Sequence, residues 1–250
     1  MKIQPSEYVK KLDVIDAPIA HKWNVEIACQ FSRKENIKLT DAIDKCSYKA
    51  KMAIGALLSE IIAWRFSKHT ETKDAFQRIE AAWCCAIDPY YAKEIDFDFS
   101  TIDGKSIQNS LPHQGALEMS LEHLFVIHMR YAHQDVYLAA AVAVQALMAQ
   151  HITPKKKAFS AWFSDTLRKT ADIFPRRIDE DDFYELDSYD CSHEPPCFRE
   201  FFEPNFEYTE KSVSEAINRF LQSLKPNDNP YLRSPEEMKA AGFPGTPYTY

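Results

Sequence analysis

Residues 136–149, VYLAAAVAVQALMA, form the longest apolar run of this 250-residue chain and decide its fold. A helix needs about 18 to 20 apolar residues to cross a bilayer, and this run is shorter and interrupted by Gln145. The run therefore predicts a helix buried in a protein core, and no membrane partner is expected. Its alanines would let the backbone of a neighbouring helix approach closely.

A second helical pattern precedes this run and is expected to pair with it. It opens at Ser110 and Pro112, and its apolar positions recur every three or four residues. Only a few residues separate the two patterns, which predicts an antiparallel helical hairpin at the centre of the core. The inward positions expected for the pair are Leu117, Leu121, Leu124, His128 and Tyr131 in the first helix, and Val136, Ala140, Ala143, Val144 and Leu147 in the second.

Helical spacing of apolar residues recurs along most of the remaining chain. The further predicted helices cover 16–34, 40–64, 72–87, 155–174 and 212–224, with short ones at 6–14 and from Ser234 to Gly242. Ser212 and Glu215 have the spacing of a capping box. Residues 90–114 between two of these helices are expected to form a long loop.

Composition supports the same fold class. The chain has only five glycines, whereas about 7% is usual, so folds built on glycine-rich phosphate loops or tight hairpins are disfavoured. We predict an all-α, non-repetitive multi-helix bundle forming a single domain over 1–250. Its core helices span about 16–174 and 212–224, an acidic irregular segment spans 179–210, and a C-terminal extension rich in Pro and Gly spans 226–250.

The charge of the chain is concentrated in one place. Residues 179–210 contain twelve Asp or Glu and only one base, Arg199, which gives −11. Since the whole chain carries −7, the remainder is weakly basic at +4. The segment also holds eight aromatic residues, and acidic and aromatic side chains together suit a basic protein partner. A solvated surface loop is the plainer alternative.

The acid-dense part, residues 179–190, is the predicted partner-binding surface. Its binding residues are expected to be Asp179, Glu180, Asp181, Asp182, Tyr184, Glu185, Asp187 and Asp190. A competing interpretation is that the basic residues of 155–177 neutralise these acids within the same chain. Residues 191–210 are richer in Phe and Pro and are expected to wrap onto the body as irregular structure.

Two groups of residues could bind a metal, but neither has a complete pattern. Glu118, Glu122, His123, His128 and His133 crowd one predicted helix, yet the Glu-x-x-His spacing of helical di-metal sites is absent. Cys191, His193 and Cys197 supply three zinc ligands where a structural site needs four. A core histidine and an ordinary loop are the favoured interpretations, so neither a metal nor another cofactor is predicted.

No catalytic motif appears in the sequence, which contains no Gly-x-Ser-x-Gly, no phosphate loop and no dinucleotide fingerprint. We therefore expect a non-enzyme, with a helical metal-dependent enzyme using Glu118, Glu122 and His128, or a helical scaffold, as alternatives. The isoelectric point of about 5.6 disfavours nucleic-acid binding. The first eleven residues lack a secretory signal, so a cytoplasmic protein with reduced cysteines is expected.

The end of the chain carries a resemblance to a known class of proteins. Residues 229–235 read NPYLRSP, and Gly242 and Pro247-Tyr248 follow. Together with a helical body and a local acidic patch, this tail resembles the helical immunity proteins of bacterial polymorphic-toxin systems. The resemblance implies an antitoxin that binds the toxin domain of a secreted effector and blocks its active site. It implies no catalytic residues.

Overall fold

Ten α-helices account for most of the residues that the computed structural model describes, which are 4–33, 36–95, 112–177 and 190–250. The predicted all-α fold class is confirmed, and β structure in these ranges is limited to two isolated bridges, Cys46–Pro175 and Ala92–Leu232. The helices are α1 Glu7–Lys11, α2 Val25–Arg33, α3 Ile37–Asp44, α4 Tyr48–Phe66, α5 Lys73–Ile87, α6 Pro112–Ala132, α7 Leu138–Ile152, α8 Lys156–Ile173, α9 Glu210–Ser223 and α10 Pro235–Ala240.

Helix α4 is the centre of the core, and α5, α6 and α7 pack around it. Nearly all of its side chains are buried, which is typical of a helix surrounded by other helices. Gly55 lets α6 approach closely, because a Cβ atom there would lie only 2.9 Å from Cγ2 of Ile127. The predicted α6–α7 hairpin is present, but it packs beside the central helix rather than being the centre itself.

Gln145 explains the polar interruption of the apolar run in α7. Its side chain is fully buried, and Nε2 donates hydrogen bonds to Ser59 Oγ at 2.8 Å and to Ser120 Oγ at 2.7 Å. The residue therefore joins α7 to α4 and α6. Gln145 therefore lies on the buried face of α7. Apolar periodicity could not identify that face, because the helix is apolar on nearly every side.

The predicted inward face of α7 was wrong for most of its positions. Val136 precedes the helix and is 37% exposed, and Ala140, Val144 and Leu147 are only half-buried. The residues buried in their place include Leu138, Ala139, Val142, Ala146 and Ala149.

The helix predicted over 16–34 begins only at Val25, because a buried arginine binds the preceding backbone. Arg65 donates from Nη1 to the carbonyls of Val14 and Ala17 and from Nη2 to that of Pro18. These carbonyls point toward the guanidinium rather than along a helix. Asn24 then provides the start of α2, since its Oδ1 accepts the backbone N–H of Ile27 at 2.8 Å.

The helix predicted over 40–64 is in fact two helices, α3 and α4, which are separated at residues 45–47. Cys46 bridges to Pro175, and Ser47 caps α4 by accepting the N–H of Ala50 at 3.3 Å. A contact with a distant segment therefore interrupts a pattern that looked continuous.

Three further boundaries can be compared with their predictions. The capping box of α9 is formed by Thr209 and Ser212, one turn before the predicted pair of Ser212 and Glu215. The short helix predicted from Ser234 is α10, and a capping box of Ser234 and Glu237 begins it. Gly242 follows that helix with φ of +87°, a conformation that favours glycine. Most of the predicted loop over 90–114 lies outside the described residues.

A buried ion pair attaches the segment after Asp190 to the core. Glu60 on α4 is 0% exposed, and its two carboxylate oxygens accept from Arg199 Nε at 2.8 Å and Nη2 at 2.6 Å. Trp83 Nε1 of α5 donates to the same carboxylate at 3.1 Å. Arg199 also donates to the backbone oxygen of Gln4 at 2.7 Å. The Glu60–Arg199 pair thus joins four separate parts of the chain.

The C-terminal extension folds back onto α5 and the turn that follows it. Asn229 Nδ2 donates to the backbone oxygen of Gln77 and to the Glu80 carboxylate. The backbone N–H of Arg233 bonds Tyr91, and the Tyr248 hydroxyl donates to the Arg233 carbonyl. The NPYLRSP tail, which carries the resemblance to immunity proteins, is therefore an anchoring element in this fold.

We expect Arg199→Met to lower the free energy of unfolding by about 3–5 kcal/mol, because it leaves the Glu60 carboxylate buried without a counter-charge. Adding Glu60→Gln to that variant should recover part of the loss. Urea denaturation of the two single variants and the double variant measures this coupling. Arg168→Met, which removes an exposed guanidinium, is the matched control and should leave stability near that of the wild type. If the stability losses of the two single variants simply added in the double variant, Glu60 and Arg199 would not stabilise the fold as a pair.

Candidate functional site

Seven of the eight predicted partner-binding residues lie outside the described residues, since residues 178–189 fall in one of the gaps. These seven are Asp179, Glu180, Asp181, Asp182, Tyr184, Glu185 and Asp187. The eighth, Asp190, is exposed and caps a short 3-10 turn. Its carboxylate accepts the backbone N–H of Ser192 at 2.8 Å and the Ser192 hydroxyl at 2.7 Å, and these bonds lower the pKa of Asp190.

The chain leading into this gap is fixed beside the start of α4. The Phe174 carbonyl accepts the N–H of Ser47 at 2.9 Å, and the N–H of Arg176 bonds the Lys45 carbonyl at 2.8 Å. The Arg176 guanidinium also forms an ion pair with Asp44. The segment therefore departs from a defined place at the N-terminal end of α4.

The chain returning from the gap is fixed at the same place by a buried carboxylate. Glu194 accepts the backbone N–H of Tyr48 through Oε1 at 3.0 Å and that of Lys49 through Oε2 at 2.8 Å. A carboxylate at this position satisfies free N–H groups and complements the positive end of the helix dipole. The described chain is thus attached to residues 44–49 on both sides of the acid-dense segment.

Lys49 reinforces this second attachment. It is almost fully buried, and its Nζ donates to the carbonyls of Ser192 and Glu194, each at 3.0 Å. Burial lowers the pKa of Lys49. Nothing in the local sequence indicated this role, because Lys49 and Glu194 are 145 residues apart.

Several of the bases that could have neutralised the acidic segment already have partners elsewhere. Lys155 pairs with Asp13 at 3.1 Å, and Arg168 pairs with Asp165 at 3.4 Å. Lys169 donates to the Phe201 carbonyl and lies over the Phe201 ring. Arg176, as described above, pairs with Asp44. Ion pairs are not formed by Lys156, Lys157 or Arg177 within the described ranges.

An exposed aromatic side chain lies near the two attachment points. The Tyr48 hydroxyl donates to the Gln134 carbonyl at 2.9 Å, which places the α6–α7 turn against the first residue of α4. In that turn Tyr137 is 64% exposed, and the Arg130 guanidinium lies 5.6 Å from its ring centroid. This end of the molecule therefore offers a large ring as well as the departure points of the acidic segment.

Residues 191–210 wrap onto the body, as expected from their sequence. Cys197, Phe198, Phe201 and Phe202 are buried, and the N–H of Cys197 bonds the Ala86 carbonyl at 3.2 Å. These aromatic side chains therefore contribute to the core and not to a partner surface. Within the acidic and aromatic segment 179–210, residues 191–210 are therefore part of the folded body.

Neither proposed metal group is assembled. In the part of the chain that the structure describes, no three His, Cys, Asp or Glu side chains are placed to hold a metal ion. His128 is buried, whereas Glu118 is exposed on another side of the same helix. In the second group, Cys191 and Cys197 are buried thiols, but the side chain of His193 is 88% exposed.

His128 is a core histidine, and its burial has a consequence for acid stability. Burial lowers the pKa of His128 to about 4, whereas the unfolded value is about 6.5. Between these values the unfolded chain binds more protons, so stability falls as the pH decreases through this window. The same cause lowers the pKa of His123 to about 4.

We expect His128→Leu to reduce the stability lost between pH 7 and pH 4.5 by about 2–3 kcal/mol relative to the wild type. Urea denaturation at the two pH values measures the difference, with each protein referred to its own stability at pH 7. The matched control is His193→Leu, which removes an exposed imidazole. An equal effect of both substitutions would show that burial of His128 is not the cause.

The described helices all lack the combination of length and apolar character that crossing a bilayer requires. The chain matches no protein-family model, no curated protein and no solved structure. The function of this chain must therefore be inferred from the contacts of its own residues.

Proposed function

We propose that this chain is a cytoplasmic binding protein that neutralises a toxin domain of a secreted bacterial effector by covering its active site with the acid-dense segment 179–190. The observation that carries the proposal is that the described chain on both sides of this segment is attached to residues 44–49, through Phe174 and Arg176 before it and Glu194 after it. The chain therefore enters and leaves the segment at one place, the N-terminal end of α4.

The charge balance near this end supports an outward role for the acids. Residues 179–190 contain seven carboxylates and no base. Of the cations near the attachment points, Arg176 pairs with Asp44 and Lys49 binds two carbonyls, whereas Lys45 and Arg177 form no ion pair among the described residues. The seven carboxylates therefore outnumber the cations that remain there. A concentrated negative field speeds association with a positively charged active site, such as that of a nuclease, and selects against acidic partners.

Aromatic residues accompany the acids in the proposed binding surface. Phe183, Tyr184 and Tyr189 lie within the acid-dense segment, and the exposed ring of Tyr137 lies near its attachment points. Tyrosine and phenylalanine are enriched in the cores of protein interfaces, where charges at the rim provide selectivity. The resemblance of the tail to immunity proteins agrees with this role. No contact among the described residues favours the metal-dependent enzyme or the scaffold.

We expect the combined variant Asp181→Asn, Asp182→Asn, Glu185→Gln and Asp187→Asn to weaken binding to the toxin by about a hundredfold at low salt. The toxin domains to test are those of effectors encoded near the gene for this chain in its host. Affinity should be measured at low and at physiological ionic strength, together with rescue of growth on co-expression. The salt dependence of binding should become shallower, because fewer charges attract the partner, and the melting temperature should not change.

The matched control neutralises four exposed acids elsewhere on the body, Glu26, Glu94, Asp172 and Glu207, and so produces the same change in net charge. This control should retain tight binding and rescue. If both variants weakened binding equally, the cause would be the net charge of the protein and not the acids of the segment. Unchanged affinity and salt dependence in the first variant would exclude the segment as the binding surface.

A further inference from the structure

The chain that returns from the acid-dense segment crosses the end of α5. Cys191 begins a short 3-10 turn there, and farther along the N–H of Cys197 bonds the carbonyl of Ala86 at 3.2 Å. Cys85 is the residue before Ala86 in α5. Two cysteines that are far apart in the sequence, Cys85 and Cys191, are thereby brought to one region of the core.

The hydroxyl group of Tyr131 on α6 contacts both of these cysteines. It lies 3.4 Å from the Cys85 carbonyl oxygen, to which it donates, and it also hydrogen-bonds the Cys191 side chain. All three residues are buried. Because one oxygen atom makes both contacts, the Cys191 sulfur lies within roughly 7.5 Å of the Cys85 carbonyl oxygen. Disulfide-bonded residues have Cα atoms about 4.4–6.8 Å apart, so the two cysteines lie in the same range of distances.

The other cysteines are less well placed to pair with either residue. All six cysteines of the chain are free thiols. After burial, the nearby Cys191 contributes most to raising the pKa of Cys85, whereas for the pKa of Cys197 the corresponding neighbour is Cys46. Cys84 is adjacent to Cys85 in the helix, so the two side chains diverge by about 100°. The cysteine that faces Cys85 is therefore Cys191.

The two thiols differ in how readily an oxidant can reach them. Burial raises the pKa of both, which keeps them protonated and unreactive while the core is closed. For Cys191 the hydrogen bond from Tyr131 opposes this rise of the pKa. Its turn also includes Ser192 and His193, which are exposed, so a local opening of the turn admits a small oxidant. Cys191 is therefore the thiol that reacts first.

We propose that Cys85 and Cys191 are a redox-responsive pair, in which oxidation joins the chain after the acid-dense segment to α5 by a disulfide bond. The Cys191 thiolate attacks one sulfur of oxidised glutathione and releases a first glutathione thiolate. The Cys85 thiolate then attacks the Cys191 sulfur of the mixed disulfide and releases the second. Two electrons pass from the cysteines to oxidised glutathione, and the two thiol protons go to the two glutathione molecules released.

This pair responds to its surroundings because the reaction is reversible. A compartment rich in reduced glutathione keeps both thiols free, and a more oxidising one closes the bond. The closed form holds Cys191, which follows the acid-dense segment directly, on α5 by a covalent bond. Formation of the bond does not depend on the toxin-binding role proposed above, because it is measured on the chain alone.

Peptide mapping by mass spectrometry tests the pair directly. The full folded chain is incubated with oxidised glutathione at pH 8, its remaining thiols are alkylated, and the digest is searched for linked peptides. We expect one disulfide, between Cys85 and Cys191, and a melting temperature about 5 °C above that of the reduced protein, because the bond closes a long loop. Dithiothreitol should reverse both changes. The absence of a disulfide, or a bond from Cys191 to any other cysteine, would overturn the proposal.

Two substitutions separate the roles of the two thiols. In Cys85→Ala the mixed disulfide cannot be resolved, so Cys191 should retain one glutathionyl group. In Cys191→Ala the first attacking thiol is missing, and Cys85 should stay free. Cys29→Ala removes a half-buried cysteine of α2 and is the matched control, which should form the Cys85–Cys191 bond as the wild type does. Unmodified Cys191 in the Cys85→Ala variant would refute its assignment as the attacking thiol.

Discussion

The buried ion pair of Glu60 and Arg199 is the interaction on which the arrangement of this chain depends. A fully buried carboxylate is stable only with a counter-charge and hydrogen bonds, and Arg199 and Trp83 supply them. Because Glu60 lies within the central helix, the segment that carries Arg199 must return to the core after the acid-dense stretch. The same guanidinium holds Gln4, so the beginning of the chain is fixed by this contact too.

The sequence predicted helices well where one side of the helix faces water, and poorly where no side does. Residues 73–87 and 156–173 have polar and apolar faces, and the helices predicted there agree with the structure within one or two residues. Helix α4 is buried on all sides, so its periodicity did not reveal that it is central. Lys49, Glu60 and Arg65 have partners far along the chain, as the pairing of Glu60 with Arg199 across 139 positions illustrates. Local patterns contain no information about such pairs.

In the acidic region, too, local sequence could not show which residues have long-range partners. Composition located the excess of carboxylates correctly, but it treated all of them as equivalent. Glu194 caps α4, and Glu203 accepts the backbone N–H of Glu7 at 3.0 Å. These acids stabilise the described fold, and so do the buried phenylalanines around them. The proposed partner surface is therefore limited to the motif-free part before Cys191, and the described residues that flank it are held by long-range contacts that the sequence does not display.

The contacts that flank the acid-dense segment and the buried ion pair lie on the same central helix. Glu194, which follows the segment, accepts the backbone N–H groups of Tyr48 and Lys49 at the start of α4. Glu60 lies 11 residues after Lys49 in that helix, which is about 16 Å along its axis. Arg199 follows Glu194 by only five residues and binds Glu60. The chain that returns after the segment is therefore held at two places on one helix, so the buried ion pair supports the Glu194 contact as well as the core.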